Sequence, residues 1–221
     1  MDGVQVLPAP ITVLPAGEAE SLVTRAAKGA RPGGLRQVGG ITLEVTGGGG
    51  PDQLVWGTFG RQEGLMALYS GGRPVATLDK GLGEILRVQP LALPGLPAYA
   101  IMVDDRYDEM VGAFLKEERR RIYVWDGRGL RQVFAAPLES EQYTHARWEN
   151  PRGPNAWRLK RVLGEVTVRD GRLTQVERHQ DLEAPGAPDA PMPEPKAFRL
   201  LREDRQEKQL TWNARLRRFG A

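Results

Sequence analysis

The feature that most constrains this chain is a phrase that it nearly repeats. Pro51-Asp52-Gln53-Leu54-Val55-Trp56-Gly57-Thr58-Phe59 is followed by Gly64-Leu65-Met66-Ala67-Leu68-Tyr69-Ser70-Gly71-Gly72. Later, Tyr107-Asp108-Glu109-Met110-Val111-Gly112-Ala113-Phe114 is followed by Arg121-Ile122-Tyr123-Val124-Trp125-Asp126-Gly127. Both read as an acidic turn, an apolar strand with Gly and an aromatic near its end, a gap, a second apolar strand and a glycine turn. Gly57 falls opposite Gly112 and Phe59 opposite Phe114, an offset of 55 residues. A period of that length, made of short strands and turns, points to stacked or propeller-like β architecture. The expected fold is all-β, with antiparallel four-stranded repeat units in a small or partial β-propeller-like arrangement. Two packed antiparallel sheets are the alternative. Residues 51–78 and 107–135 should then superpose with the same strand order.

The rest of the chain supports short strands between turn formers. Expected strands are 41–46, 53–59, 64–69, 73–78, 84–89, 98–103, 109–115, 120–125 and 130–135, then 141–149, 156–162, 165–169 and 172–178. Gly47 to Gly50, Gly71-Gly72, Pro94-Gly95, Asp126-Gly127, Pro151 to Pro154 and Asp170-Gly171 separate them. Asp-Gly is a strong hairpin signal, because type I′ turns need φ > 0. One early helix is expected over 17–28, with Glu18 and Glu20 in its first turn, Lys28 near its end and Gly29 as its stop.

Four regions follow. Residues 1–33 form an N-terminal extended arm and short helix, and 34–183 the β-repeat body. Residues 184–196 are a Pro-rich loop, and 197–221 are C-terminal strands packing on the body. In that last region, 197–201 and 209–212 read as two strands with charged residues between them.

Composition excludes several classes. The chain has 221 residues and 40% apolar content, enough for a sizeable core. It has no cysteine, so disulfide scaffolds, thiolate zinc sites and cysteine nucleophiles are out. Lys plus Arg number 31 against 28 Asp plus Glu, a net charge of +3, which is too balanced for a typical nucleic-acid protein. No apolar run approaches the ~20 residues that span a bilayer. The N-terminus lacks the basic start and apolar segment of a secretory signal. That leaves a cytoplasmic protein, or an extracytoplasmic one from which a leader was removed.

The phrase Asp104-Asp105-Arg106-Tyr107-Asp108-Glu109, then Val111-Gly112-Ala113-Phe114 and Ile122-Tyr123-Val124-Trp125, resembles the FG-GAP or VCBS-type repeat of β-propellers. Pro51 to Tyr69 resembles it more weakly. The resemblance implies a binding or structural module, of the kind found in integrin α-chains and bacterial envelope proteins. It also implies a calcium loop, and here the chain departs from the pattern. Calcium takes about six to eight oxygens from alternating ligands. This loop has adjacent Asp104-Asp105, an inserted Arg106 and no central Gly, so the calcium site reads as lost and the acids as turn formers.

No catalytic constellation emerges. His145 and His179 lie in different expected strands and read as surface or structural groups. Ser21, Ser70 and Ser140 are the only serines, and none sits in Gly-x-Ser-x-Gly. The run Lys116 to Arg121 reads as a solvated, charge-compensated loop. Tyr143, Arg147, Trp148, Trp157, Arg158 and Arg161 interleave aromatic and guanidinium groups and are the candidate partner-binding residues. The bland reading of the same pattern is a half-buried strand pair, aromatics inside and arginines out. The sequence therefore points to a non-enzymatic module without cofactor or metal, whose partner is a protein or a glycan. A nucleic-acid or polyanion partner is the alternative.

Overall fold

The computed structural model describes residues 10–28, 33–110 and 114–220. The first sheet is antiparallel, in the order β1 (Thr12–Val13), β2 (Leu35–Leu43), β3 (Asp52–Phe59), β4 (Glu63–Ser70) and β5 (Arg73–Leu78). Helix α1 (Ala16–Ala26) lies on one face. Side chains on a strand alternate between faces, so β3 and β4 each serve two cores. Val55, Phe59, Leu65, Ala67 and Tyr69 pack against Ala19, Leu22, Val23 and Ala26 of the helix. The Tyr69 hydroxyl donates to the Leu22 carbonyl at 2.8 Å and fixes the helix position. Leu54, Met66 and Leu68 point the other way, into a core shared with the second sheet.

The second sheet has eight antiparallel strands in the order β13-β12-β11-β10-β9-β8-β7-β6. They are β6 (Glu84–Leu91), β7 (Ala100–Glu109), β8 (Leu115–Trp125), β9 (Leu130–His145), β10 (Ala156–Arg169), β11 (Arg172–Pro185), β12 (Arg199–Asn213) and β13 (Arg218–Gly220). Helix α2 (Ala146–Glu149) connects β9 to β10. The sheets meet through Ile85, Ile101, Val103 and Tyr123 against Leu43, Leu54 and Leu68. The Gly64 N–H donates to the Leu82 carbonyl at 3.1 Å, and the Ile85 N–H to Thr58 Oγ1 at 3.0 Å. Such an approach needs a missing Cβ: one built on Gly64 would sit 2.2 Å from the Gly83 carbonyl oxygen.

The large sheet bends. Register breaks between Glu118 and Arg119, and between Ile122 and Tyr123, put extra residues into β9. β10 pairs with β9 only over Trp157–Leu163, while its whole length pairs with β11. The diverging ends hold a second core of Ile122, Val124, Phe134, Val166, Leu173 and Trp212. β6 and β13 close the strand order at either end without meeting, so the sheet stays open.

The all-β expectation holds, in its two-sheet form. The four-stranded units do not appear: the sheets have five and eight strands. Hairpin 53–59/64–69 is β3–β4 with the expected alternation, and Phe59 and Ile122 are buried. The described residues of the expected strand 109–115 do not form one strand. β7 ends at Glu109, β8 begins at Leu115, and Phe114 between them has φ of 51°. Residues 111–113, including Gly112 of the proposed match, lie outside the described residues. Shifted by 55, β4 and its glycine turn overlay β8 and the Asp126-Gly127 turn, while the counterpart of β3 falls on 107–114, which includes residues outside the described ones. The two spans share a hairpin, β4–β5 in one and β8–β9 in the other.

Two further readings are corrected. The run Lys116 to Arg121 is part of β8, and Asp104 and Asp105 are in β7 rather than a turn. Arg120 grips Asp104 through both carboxylate oxygens at 2.8 and 2.7 Å. Asp105 is fully buried, bonded by Arg121 at 2.7 Å and by the Gly83 N–H at 2.8 Å. A strand tolerates this charge density because each buried acid has a guanidinium opposite or diagonal to it. The stretch read as two strands, 197–201 and 209–212, is likewise one strand, β12, running through the charged residues with Trp212 buried near its end, and Leu216 in the turn to β13 is exposed.

Candidate functional site

The six aromatic and basic candidates converge at the end of β9 and β10, but divide by burial. Antiparallel register sets Trp157 opposite His145, Leu159 opposite Tyr143 and Arg161 opposite Glu141. Directly opposed residues share a face, so this column builds itself from the pairing. Tyr143 and Trp157 are both 2% exposed and pack with Leu182, Ala184 and Phe198. The ring of Phe198 meets Tyr143 edge-on at 5.7 Å, and the Trp157 indole N–H donates to the Ala187 carbonyl at 3.3 Å. The proline-rich segment thus covers this face.

Beside them, Arg161 donates to Glu141 Oε1 from Nε at 2.8 Å and from Nη2 at 2.5 Å. The Tyr143 hydroxyl donates to the other oxygen of Glu141 at 2.9 Å. Burial, and the bond to the Glu141 carboxylate, push the Tyr143 phenol up to about 12. Every strong donor of this triad has its acceptor, so it reads as a buried strut.

His145, read from the sequence as a surface or structural group, is fully buried. Its Nδ1 accepts from the Arg147 N–H at 3.2 Å, which caps α2, and its Nε2 faces the Gly186 carbonyl at 2.9 Å. A carbonyl only accepts, so the ring is held as the neutral Nε2–H tautomer. His179 is partly exposed, with Nε2 2.8 Å from Glu177.

Trp148 is different. It is 49% exposed and is the one aromatic among the large apolar side chains that the described residues leave exposed. Helix α2 lifts it out of the strand, over Phe114 at 5.4 Å and Trp157 at 5.1 Å between ring centroids. Arg147, also exposed, donates from Nε to the Gly153 carbonyl at 3.3 Å. Arg158 lies one residue out of phase with Trp157 and pairs with Glu149 at 3.6 Å. The structure therefore brings Trp148 and Arg147 together as an open corner, and takes Tyr143, Trp157 and Arg161 inside. Glu141, His145, Phe114 and Phe198 complete it. Sequence reasoning did not join them to this site because their partners are set by cross-strand register and by the returning proline-rich segment.

A second concave region lies on strands β9 to β12, a shallow cavity of about 380 Å³ with Ser140, Lys160, His179, Asp181, Arg202 and Asp204 among its walls. Its charges alternate in sign. Among the described residues, no group of three or more His, Cys, Asp or Glu is arranged to hold a metal ion, and no helix is long and apolar enough to cross a membrane.

Comparison with family models, with curated proteins and with solved structures finds no match for this chain.

Proposed function

We propose that the protein is a non-catalytic binding module that holds a glycan at the Trp148 corner. The observation that carries this reading is the half-exposed Trp148 indole resting on the rings of Phe114 and Trp157. A flat apolar face of this kind suits the apolar face of a sugar ring. The pairing of Arg158 with Glu149 and of Arg161 with Glu141 leaves little uncompensated positive charge, which favours a neutral or weakly acidic glycan over a nucleic acid. The resemblance of residues 104–125 to FG-GAP-type repeats is the only support for a cell-envelope setting.

Titration with peptidoglycan fragments, followed by tryptophan fluorescence and calorimetry, tests the reading. Saturable binding that Trp148→Ala abolishes is the expected result. Binding unaffected by that substitution, or turnover in a hydrolase screen, would overturn it. Steeply salt-dependent binding to heparin or single-stranded DNA would favour the polyanion alternative.

A further inference from the structure

Among the described residues, β12 leaves a long edge open. On one side it pairs with β11 along nearly its whole length, and on the other β13 covers only Thr211–Asn213. The register breaks between Asp181, opposite Arg202, and Leu182, opposite Leu200, so Leu201 bulges. The regular, uncovered edge is therefore Arg202–Leu210, with Gln206 at its midpoint. Unpaired N–H and C=O groups on such an edge are a template for another strand.

A second copy of this chain fits that template in one register. A two-fold axis normal to the sheet makes the pairing antiparallel and keeps each side chain on its own face. Opposed residues must share a face, so the axis has to set one residue against itself. With Glu203, Asp204 or Glu207 at the axis, two carboxylates oppose each other. With Arg205 there, Arg meets Arg, Glu203 meets Glu207 and Arg202 meets Lys208. With Gln206 there, every charge conflict disappears. Asp204 then faces Lys208, Arg205 faces Glu207 and Glu203 faces Gln209, each twice, while the two Gln206 amides face each other. Like charges across a strand pair repel and opposite ones attract, so the edge carries its own register code. The axis that charge selects coincides with the midpoint that bulge and β13 leave free. In that register Leu200 and Leu201, exposed at 49% and 53%, run toward Thr211 and Trp212 of the other copy, where β13 already pairs, so the two strands must part at the Leu201 bulge.

We infer that the protein self-associates as a two-fold dimer through the β12 edge, centred on Gln206. The dimer joins two eight-stranded sheets into one.

The chain has no cysteine, so single cysteines report the register directly. In Gln206→Cys the two thiols lie on Cα atoms about 4.5–5.5 Å apart, within disulfide range. In Asp204→Cys they lie about 13 Å apart, from four residues of strand rise. Mild oxidation should give covalent dimer rapidly for the first and not for the second. By sedimentation velocity at low salt, Arg205→Glu should weaken association at least about tenfold. The double swap Arg205→Glu with Glu207→Arg should restore it, since each reversed charge again meets its opposite. All four positions are exposed, so circular dichroism should show unchanged folding. The proposal is overturned by a wild-type monomer at concentrations of about 0.5 mM, by equal cross-linking of the two cysteine variants, or by a double swap that fails to restore the dimer.

Discussion

β4 and β12 are both long antiparallel strands, yet six of the eight residues of β4 are buried and only Trp212 of the fifteen in β12 is. β4 has α1 on one face and the large sheet on the other. β12 is wet on both faces over most of its length. Alternation of apolar and polar residues marks a strand with one wet face, and neither of these strands has that. Gly64-Leu65-Met66-Ala67-Leu68-Tyr69 is apolar throughout, and Arg202 to Gln209 is polar throughout. The two extremes show that strand formation here follows pairing partners, while the side-chain pattern only records what covers each face.

The largest test of that contrast compares buried and exposed charge. Asp105→Ala removes the fully buried partner of Arg121 and leaves a guanidinium uncompensated between the sheets, so unfolding free energy should fall by about 3–5 kcal/mol. Glu207→Ala removes an exposed partner of Arg205 and should cost less than about 1 kcal/mol in the monomer. Urea denaturation of both variants measures the difference. Equal costs would mean that burial does not separate the two regions energetically.

The same comparison can be made with one chemistry. Leu68→Ala opens a cavity between the sheets and should cost about 2–5 kcal/mol. Leu201→Ala on β12 should lie within about 0.5 kcal/mol of wild type. A costly Leu201 substitution, independent of protein concentration, would show that this edge is packed within the monomer.

Glycines sharpen the contrast further. In Gly64→Ala the new methyl meets the Gly83 carbonyl at the joint between the sheets, and the strands must separate at a cost of about 1–3 kcal/mol. At Gly129, in the β8–β9 turn, a Cβ meets nothing within 4 Å, and Gly129→Ala should be close to neutral. Thermal melts of the pair suffice. A neutral Gly64→Ala would mean that the joint is loose.

What the sequence made legible tracks these differences. β3 and β4 were readable because their apolar runs are bounded by turn formers, and the glycine turn at Gly71-Gly72 after β4 has the required positive φ of 56° and 75°. The strand through Arg202 to Gln209 was not, because its only strand-forming influence is β11, and no periodicity records it. Lys116 to Arg121 looked like a loop for a related reason. Its charges answer Asp104 and Asp105, and only the β7–β8 register shows that each acid has an arginine within reach. At the candidate site, Trp148 and Arg147 were visible as a pair. Burial of His145 was not, since it depends on Trp157 across the strand and Gly186 from the returning loop.

The smallest effect belongs to a buried group in the otherwise wet half of the large sheet. Tyr143 is shielded by Phe198 and bonded to Glu141, and its phenol is raised from 10.0 to about 12. A group whose folded value lies above its unfolded one stabilises the fold fully below the unfolded value and loses that contribution as pH rises through the folded one. Tyr143 should therefore contribute nothing pH-dependent at neutrality, and its contribution should fade between about pH 10 and pH 12. Near-ultraviolet absorbance should show a phenol ionising at the upper end of that window that Tyr143→Phe removes. Thermal melts at about pH 9 and about pH 11 should then show a smaller alkaline loss in the variant than in wild type. A wild-type phenol titrating entirely near its ordinary value would mean that the proline-rich cover opens to solvent, and that this part of the large sheet is as wet as β12.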